Sequence, residues 1–275
     1  MGADLSRIAA NIPAMQNITT LSRLSDKIAM HQLRLSTGKR INSAMEDPAG
    51  YLLARGLESR RRGLSSALSN VSNAQNILDV AEGGYSSIQD ILETMKEKAV
   101  QAADGSLSST QRAAIDDQVS ALITEIDDTV DSVTFNGSSL IDGTYSAVSF
   151  QTGEQASETM SVTLGDADSA ALGISSISLA TAASANAAIT TIDSAINTLS
   201  DRLKDVGEYK IRLQSKQGNL ETQITKTEAV RSTIEDADFA KEQMEVMKLQ
   251  ILQQTSLSSL AQANQAPQLV LSLFR

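Results

Sequence analysis

The chain has 275 residues and a formal net charge of −10; 41% of it is hydrophobic but only 3% aromatic, with no tryptophan and no cysteine. The missing cysteines exclude disulfides, thiolate metal ligands and a thiol nucleophile, and the acidic balance disfavours nucleic acid and anionic membrane surfaces as partners. Apolar content carried by Leu, Ile, Val, Ala and Met suits narrow seams between helices better than a thick core.

No run of eighteen apolar residues occurs, so membrane insertion is not expected. Met1 to Arg7 lacks a basic stretch followed by an apolar one, which predicts export, if any, by a route without a cleavable signal. Nothing between Arg7 and Arg23 is charged, while Ile8, Ile12, Met15, Ile18 and Leu21 follow three or four apart. That spacing predicts an amphipathic helix. Pro13 fits a first helical turn and not an interior, so the first dozen residues are expected to be extended. The basic triplet Arg60 to Arg62 reads as a solvated helix face.

From Val71 the positions Val71, Ala74, Leu78, Ala81, Tyr85, Ile88, Leu92, Met95, Ala99 and Ala102 alternate steps of three and four. This heptad spacing predicts a long helix in a left-handed supercoiled bundle, with Gly83-Gly84 as its weak point. Asp104 to Thr110 reads as a turn with Thr110 a candidate cap. A second helix follows on the seam Ile115, Val119, Leu122, Ile126 and Val133, with Thr129 or Val130 filling its gap. Between 135 and 184, Asn136-Gly137, Asp142-Gly143, Gly153, Gly165 and Gly173 punctuate short alternating stretches that predict small β-hairpins.

Helical spacing returns with Ile189, Ile192, Ile196, Leu199, Leu203, Val206, Leu213, Leu220 and Ile224, in a helix expected from about Asn186 to Thr233. At 1.5 Å per residue it would be about 70 Å long. From Lys248 to Arg275 charge disappears again, and Leu249, Leu252, Leu257, Leu260, Leu269 and Leu271 stand among Gln, Ser, Thr and Asn, with Pro267 expected to kink or end the helix. Neither terminal helix can be covered fully by one partner, so both are expected to be disordered in the monomer and ordered in an assembly.

The inventory for catalysis is thin. His31 is the only histidine, which excludes a paired-imidazole metal site and reads as an ordinary helix residue. The acidic groups Asp116-Asp117, Asp127-Asp128-Asp131 and Asp166-Asp168 read as solvated, and none fits a calcium loop. Asn136-Gly137-Ser138 reads as turn chemistry rather than a glycosylation site. No cofactor, metal or catalytic residue is expected.

Two motifs carry a resemblance. Ser36-Thr37-Gly38-Lys39-Arg40-Ile41-Asn42-Ser43-Ala44 followed by Glu46-Asp47-Pro48-Ala49-Gly50, and Arg231, Ile234, Asp236-Ala237-Asp238 and Ile251-Leu252-Gln253-Gln254 through to Leu271-Ser272-Leu273-Phe274-Arg275, resemble the two ends of bacterial flagellins. The resemblance covers residues 5 to 142 and 185 to 275, leaving only a short middle where many flagellins carry large outer domains. It implies a mainly α fold, a long antiparallel coiled-coil-like bundle with a small β-hairpin insert. The implied division is 1–43 and 238–275 as helices of an inner filament core, 44–142 and 185–237 as a helical core domain, and 143–184 as the insert.

The implied function is a non-enzymatic structural subunit, exported unfolded through the flagellar type III system and polymerising into a motility filament, extracellular or periplasmic. The alternative is a hook-filament junction protein of the same group. A third reading, a flagellin-like zinc protease, would need a histidine-rich insert that is absent. Implied partners are further copies of the chain, an export chaperone on Phe239 to Arg275, and cap and hook-junction proteins. Ile8, Ile12, Met15, Leu21, Leu24, Ile28, Leu249, Leu252, Leu257, Leu260, Leu269 and Leu271 are the expected self-assembly residues. The family's innate-immune recognition segment corresponds to Leu92, Thr94, Lys98, Gln101 and, further on, Gln118. Thr94 and Lys98 replace the usual Arg and Leu and Gln118 a usual Glu, which implies weak receptor activation.

Overall fold

The structure is a computed structural model that describes residues 11–273, with side chains described from 11 to 265. In chain order its elements are α1 (Ile12–Thr37), α2 (Pro48–Ala102), α3 (Ser109–Ser132), β1 (Thr134–Phe135), β2 (Ser138–Ser139), β3 (Val148–Gln151), β4 (Thr159–Val162), α4 (Ala182–Glu235) and α5 (Phe239–Leu273). Two compact units result: Arg60–Lys226, and a second formed by Met1–Ser59 with Thr227–Arg275.

In the unit Arg60–Lys226 the heptad seam of α2 is the spine. All ten seam residues from Val71 to Ala102 are fully buried. They pack with Ile115, Val119, Ile126 and Val130 of α3 and with Ile192, Leu199, Val206, Leu213 and Leu220 of α4. Val130, 2% exposed, fills the gap in the α3 seam. Lys210 pairs with Asp79 at 2.7 Å, and Lys96 with Asp193 at 2.6 Å. The later residue of α4 thus meets the earlier residue of α2, which makes the two helices antiparallel. Alanines at 185, 188 and 195 are also buried, and α4 begins at Ala182, earlier than its large apolar residues indicate.

The α2 to α3 turn is held by Arg112, a buried cation whose Nε and Nη2 donate to the carbonyls of Ala102 and Asp104 at 2.8 and 2.9 Å. Ala102 ends α2, so its carbonyl is one that the helix leaves without a partner, and the Asp104 carbonyl lies in the turn that follows. The cap of α3 is Ser108, not Thr110. Its hydroxyl accepts from the Gln111 N–H while the Gln111 side chain accepts from the Ser108 N–H, a reciprocal pair.

β1 and β2 pair antiparallel around Asn136 (φ 50°) and Gly137 (φ 81°), the left-handed pair that a two-residue hairpin turn requires. β3 and β4 form a second antiparallel pair with Val148 opposite Val162. The segment after β4 has no strand, yet Leu164, Ala167, Leu172, Ile174 and Leu179 are buried in the common core.

Two of the carboxylates read as solvated are instead anchors for that segment. Asp127 accepts from the N–H and hydroxyl of Ser169 at 2.8 and 2.9 Å, and Asp116 accepts from the Leu179 N–H at 2.5 Å. Asp166 and Asp168 accept from backbone N–H groups two and three residues on, at Asp168 and Ala171. Arg60 likewise is not simply solvated, since its Nε lies 3.0 Å from Glu154.

Candidate self-assembly surface

In the second unit α1 and α5 pair along their lengths. Asn11 caps α1 by accepting from the Ala14 N–H and donates from Nδ2 to the Ala263 carbonyl at 2.9 Å. Gln253 donates to Ser25 at 3.3 Å, and His31 hydrogen-bonds Glu242. Rising numbers in α1 meet falling ones in α5, so this pair is antiparallel too. Its seam is Ala14, Leu21, Leu24, Ile28 and His31 on α1 against Glu242, Val246, Leu249, Gln253, Leu260 and Ala263 on α5, all buried or half-buried.

Both terminal helices are therefore ordered and paired within one chain, contrary to the expectation of disorder. Pro13 sits in the first turn of α1 as expected, but Pro267 does not end α5, which continues to Leu273. The extended start, together with Ile8, lies outside the described residues, as do the side chains of Leu269 and Leu271.

Pairing leaves a second apolar stripe on each helix. Ile12, Met15 and Ile18 are 51%, 64% and 55% exposed, outside the buried line of Ala14 and Ile28. Along α5, Met244, Met247, Ile251, Leu252 and Leu257 are exposed as well. A helix with apolar residues on all sides and no charge over its last half is built to be covered on more than one side. Of the expected self-assembly residues, Leu21, Leu24, Ile28, Leu249 and Leu260 lie in or beside the seam within the chain. Ile12, Met15, Leu252 and Leu257 face outward.

The loops at the other end of the pair are strapped together. The Ala237 N–H donates to the Gly38 carbonyl at 2.9 Å, the Arg40 N–H to the Glu235 carbonyl at 2.6 Å, and Lys39 bridges to Asp236. Gly38 takes φ 70°, the left-handed close of α1. Side chains reinforce the strap: Arg40 donates to the Ile234 carbonyl, and Lys39 and Arg231 each donate to Glu235 at 2.6 Å. Burial works to raise the pKa of Glu235, but the hydrogen bonds and positive charges of Lys39 and Arg231 together outweigh it and hold the carboxyl below its ordinary value. Arg34 joins Glu46 at 2.9 Å and approaches Glu242 at 3.6 Å, beside His31. Thus Gly38 to Arg40 and Ile234 to Ala237, residues of the two sequence motifs, form one structural strap.

Among the described residues no cluster of acidic or histidine side chains could hold a metal ion, and no helix is long and apolar enough to cross a membrane. The residues that the resemblance aligns with an immune-recognition segment fall on α2 and α3, where Thr94, Gln101 and Gln118 are exposed, Lys98 is half-buried and Leu92 is entirely within the core.

Comparison with known proteins agrees with this architecture. Residues 8–146 match the bacterial flagellin N-terminal helical region and residues 189–274 the bacterial flagellin C-terminal helical region. Flagellin FlaB1 of Treponema pallidum is 34% identical over 96% of this chain and 98% of its own length. The flagellins of Listeria monocytogenes and Bacillus subtilis are each 33% identical, covering 97% and 98% of this chain and 99% and 100% of their own. The crystal structure of Bacillus cereus flagellin superposes with a TM-score of 0.51 at 27% identity, covering 55% of this chain and 88% of that one. The chain belongs to the bacterial flagellins, the non-enzymatic structural subunits of the flagellar filament.

Proposed function

We propose that copies of the chain join through the outward stripes of α1 and α5, with Ile12, Met15, Leu252 and Leu257 as central contacts. Ile8, Leu269 and Leu271, whose side chains lie outside the described residues, are assigned to the same contacts on their sequence spacing alone. Leu21, Leu24, Ile28, Leu249 and Leu260 shape the pair that presents them. In this reading 1–43 and 238–275 are the inner core of the filament, 44–142 and 185–237 its helical core domain, and 143–184 a short outer insert. The observation that carries it is the exposed apolar side chains on two stretches without charge, residues 12–22 of α1 and 249–265 of α5. Burying each such side chain contributes about 1.5–3 kcal/mol. Uncharged Gln, Ser and Thr beside them can hydrogen-bond between copies without stacking like charges.

The same exposed residues of α5 suit a chaperone that covers Phe239 to Arg275 before export, and growth beneath cap proteins on a hook junction completes the proposed set of partners. Removing residues 1–40 and 240–275 tests the assignment. The full chain should grow micrometre filaments from seeds, and the truncated chain should stay a soluble helical monomer. Filaments grown by the truncated chain would overturn it, while a full chain that stops at short rings would favour the junction protein.

A further inference from the structure

We propose that Met15, Met244 and Met247 are sites of reversible oxidation by a peroxide, and that their sulfoxides keep the free chain out of the filament. This rests on the assembly reading above and adds a control over it.

The chain has no cysteine and no tryptophan, so the thioethers of its eight methionines are its only sulfur groups. Those whose side chains are described divide by unit. Met95 and Met160, in Arg60–Lys226, are 0% and 3% exposed. In the unit that holds both terminal helices Met45 is 91% exposed, Met15 64%, Met244 59% and Met247 49%, and Met30 is half-buried. A peroxide must reach the sulfur to react, so the fold shields the core thioethers and offers those of the terminal pair.

Met15 stands between Ile12 and Ile18, three residues from each. Met244, Met247 and Ile251 follow three and four apart on α5, a line that avoids Val246 and Leu249, the buried hydrophobic residues described on that helix. Glu245 and Lys248 beside them pair with each other at 3.3 Å. Each exposed thioether thus extends a stripe of aliphatic side chains that a neighbouring copy would cover. An unbranched, polarisable side chain adapts to an uneven partner surface, which by itself accounts for methionine at such a contact. Oxidation reverses that advantage.

In the reaction the sulfur lone pair attacks one peroxide oxygen. The S–O bond forms as the O–O bond breaks, and the second oxygen leaves as water, taking the proton of the first. Sulfur loses two electrons, the peroxide gains them, and no further reactant is needed. The product carries a strongly accepting oxygen on a side chain that assembly would bury. An acceptor buried without a donor opposes association, and the defect recurs at every copy. A chain already in the filament has these sulfurs covered, so the free chain is the form open to the reaction. Reduction of the sulfoxide restores the thioether.

The test treats the full-length monomer with hydrogen peroxide, maps the added oxygen by peptide mass spectrometry, and follows seeded growth by light scattering and electron microscopy. Met15, Met45, Met244 and Met247 should each gain one oxygen while Met95 and Met160 gain none. The critical concentration should rise at least about tenfold and return after treatment with methionine sulfoxide reductase. Each variant serves as its own reference before and after peroxide. The critical concentration of the triple variant Met15→Leu, Met244→Leu, Met247→Leu should not change, whereas Met45→Leu should remain as sensitive as the parent. Preformed filaments should protect Met15, Met244 and Met247. Oxygen gained at these three without loss of growth, a triple variant as sensitive as the parent, or growth that the reductase does not restore would overturn the control and leave the assembly reading standing. A parent chain that forms no filaments before peroxide would sink both.

Discussion

Lys39 Nζ lies 2.6 Å from Glu235 Oε1, and Arg231 holds the other oxygen of the same carboxylate at 2.6 Å. One acid thus joins the loop after α1 to the end of α4. Glu235 titrates lower in the folded chain than in the unfolded one, because, against the effect of burial, the hydrogen bonds and positive charges of Lys39 and Arg231 prevail. Its stabilisation is complete above the ordinary glutamate value of the unfolded chain and is lost as pH falls through the lower folded value. Glu235→Gln should therefore cost roughly 1 kcal/mol at neutral pH. Urea unfolding near neutrality and again in strong acid checks this, and a difference from the parent as large in acid as at neutrality contradicts it.

Gly83 and Gly84 should respond to alanine with opposite signs. A Cβ at Gly83 meets nothing within 4 Å, so Gly83→Ala should raise the melting temperature, gaining about 0.5–1 kcal/mol of helix propensity. A Cβ at Gly84 would stand 2.7 Å from Val133 Cγ2 and 3.1 Å from Ile141 Cδ1. Overpacking of that kind costs about 1–3 kcal/mol, so Gly84→Ala should lower it. Thermal denaturation of the two variants side by side decides the matter, and equal shifts would be against it.

That pair marks where sequence reasoning stopped. Both glycines read as one weak point, because composition along a helix does not reveal which side another segment will press against. The large apolar seams were legible because a step of three or four places side chains on one face whatever the partner, and every α2 residue from Val71 to Ala102 that obeyed it is buried. Polar roles were not legible. Arg112, Asp116 and Asp127 act on carbonyl and amide groups brought near by the fold, and nothing in their own neighbourhoods announces it. Ser108 was legible in principle, through Gln111 three residues on. At the terminal helices the chargeless segments were plain, but α1 carries two apolar stripes. Only the structure separates Leu24 and Ile28, which face α5, from Met15 and Ile18, which do not.

Receptor activation by this chain should be weak. Thr94, Gln101 and Gln118 are exposed, but by the resemblance drawn from the sequence Thr94 and Lys98 replace the Arg and Leu of the recognition pattern. Leu92 is fully buried, so Leu92→Ala should act through stability, costing about 2–5 kcal/mol, and not through recognition. Reporter cells given purified monomer provide the measurement, and a response equal to that of an enteric flagellin would contradict the expectation.

Leu257 and Leu260 separate assembly from pairing within the chain. Leu257 is 49% exposed, so Leu257→Asp leaves the monomer's helices in place. In a filament the same carboxylate would be buried without a partner, costing several kcal/mol, and the defect recurs at every subunit. Leu260 is half-buried near Ala263, whose carbonyl accepts from Asn11. Leu260→Asp should therefore also loosen α1 from α5, and amides of α1 should exchange faster in that monomer alone. Neither variant should yield sedimentable polymer under seeded conditions. Normal filaments from Leu257→Asp would place the inter-copy contact elsewhere on α5. Unchanged exchange in Leu260→Asp would mean that the pairing does not depend on that leucine.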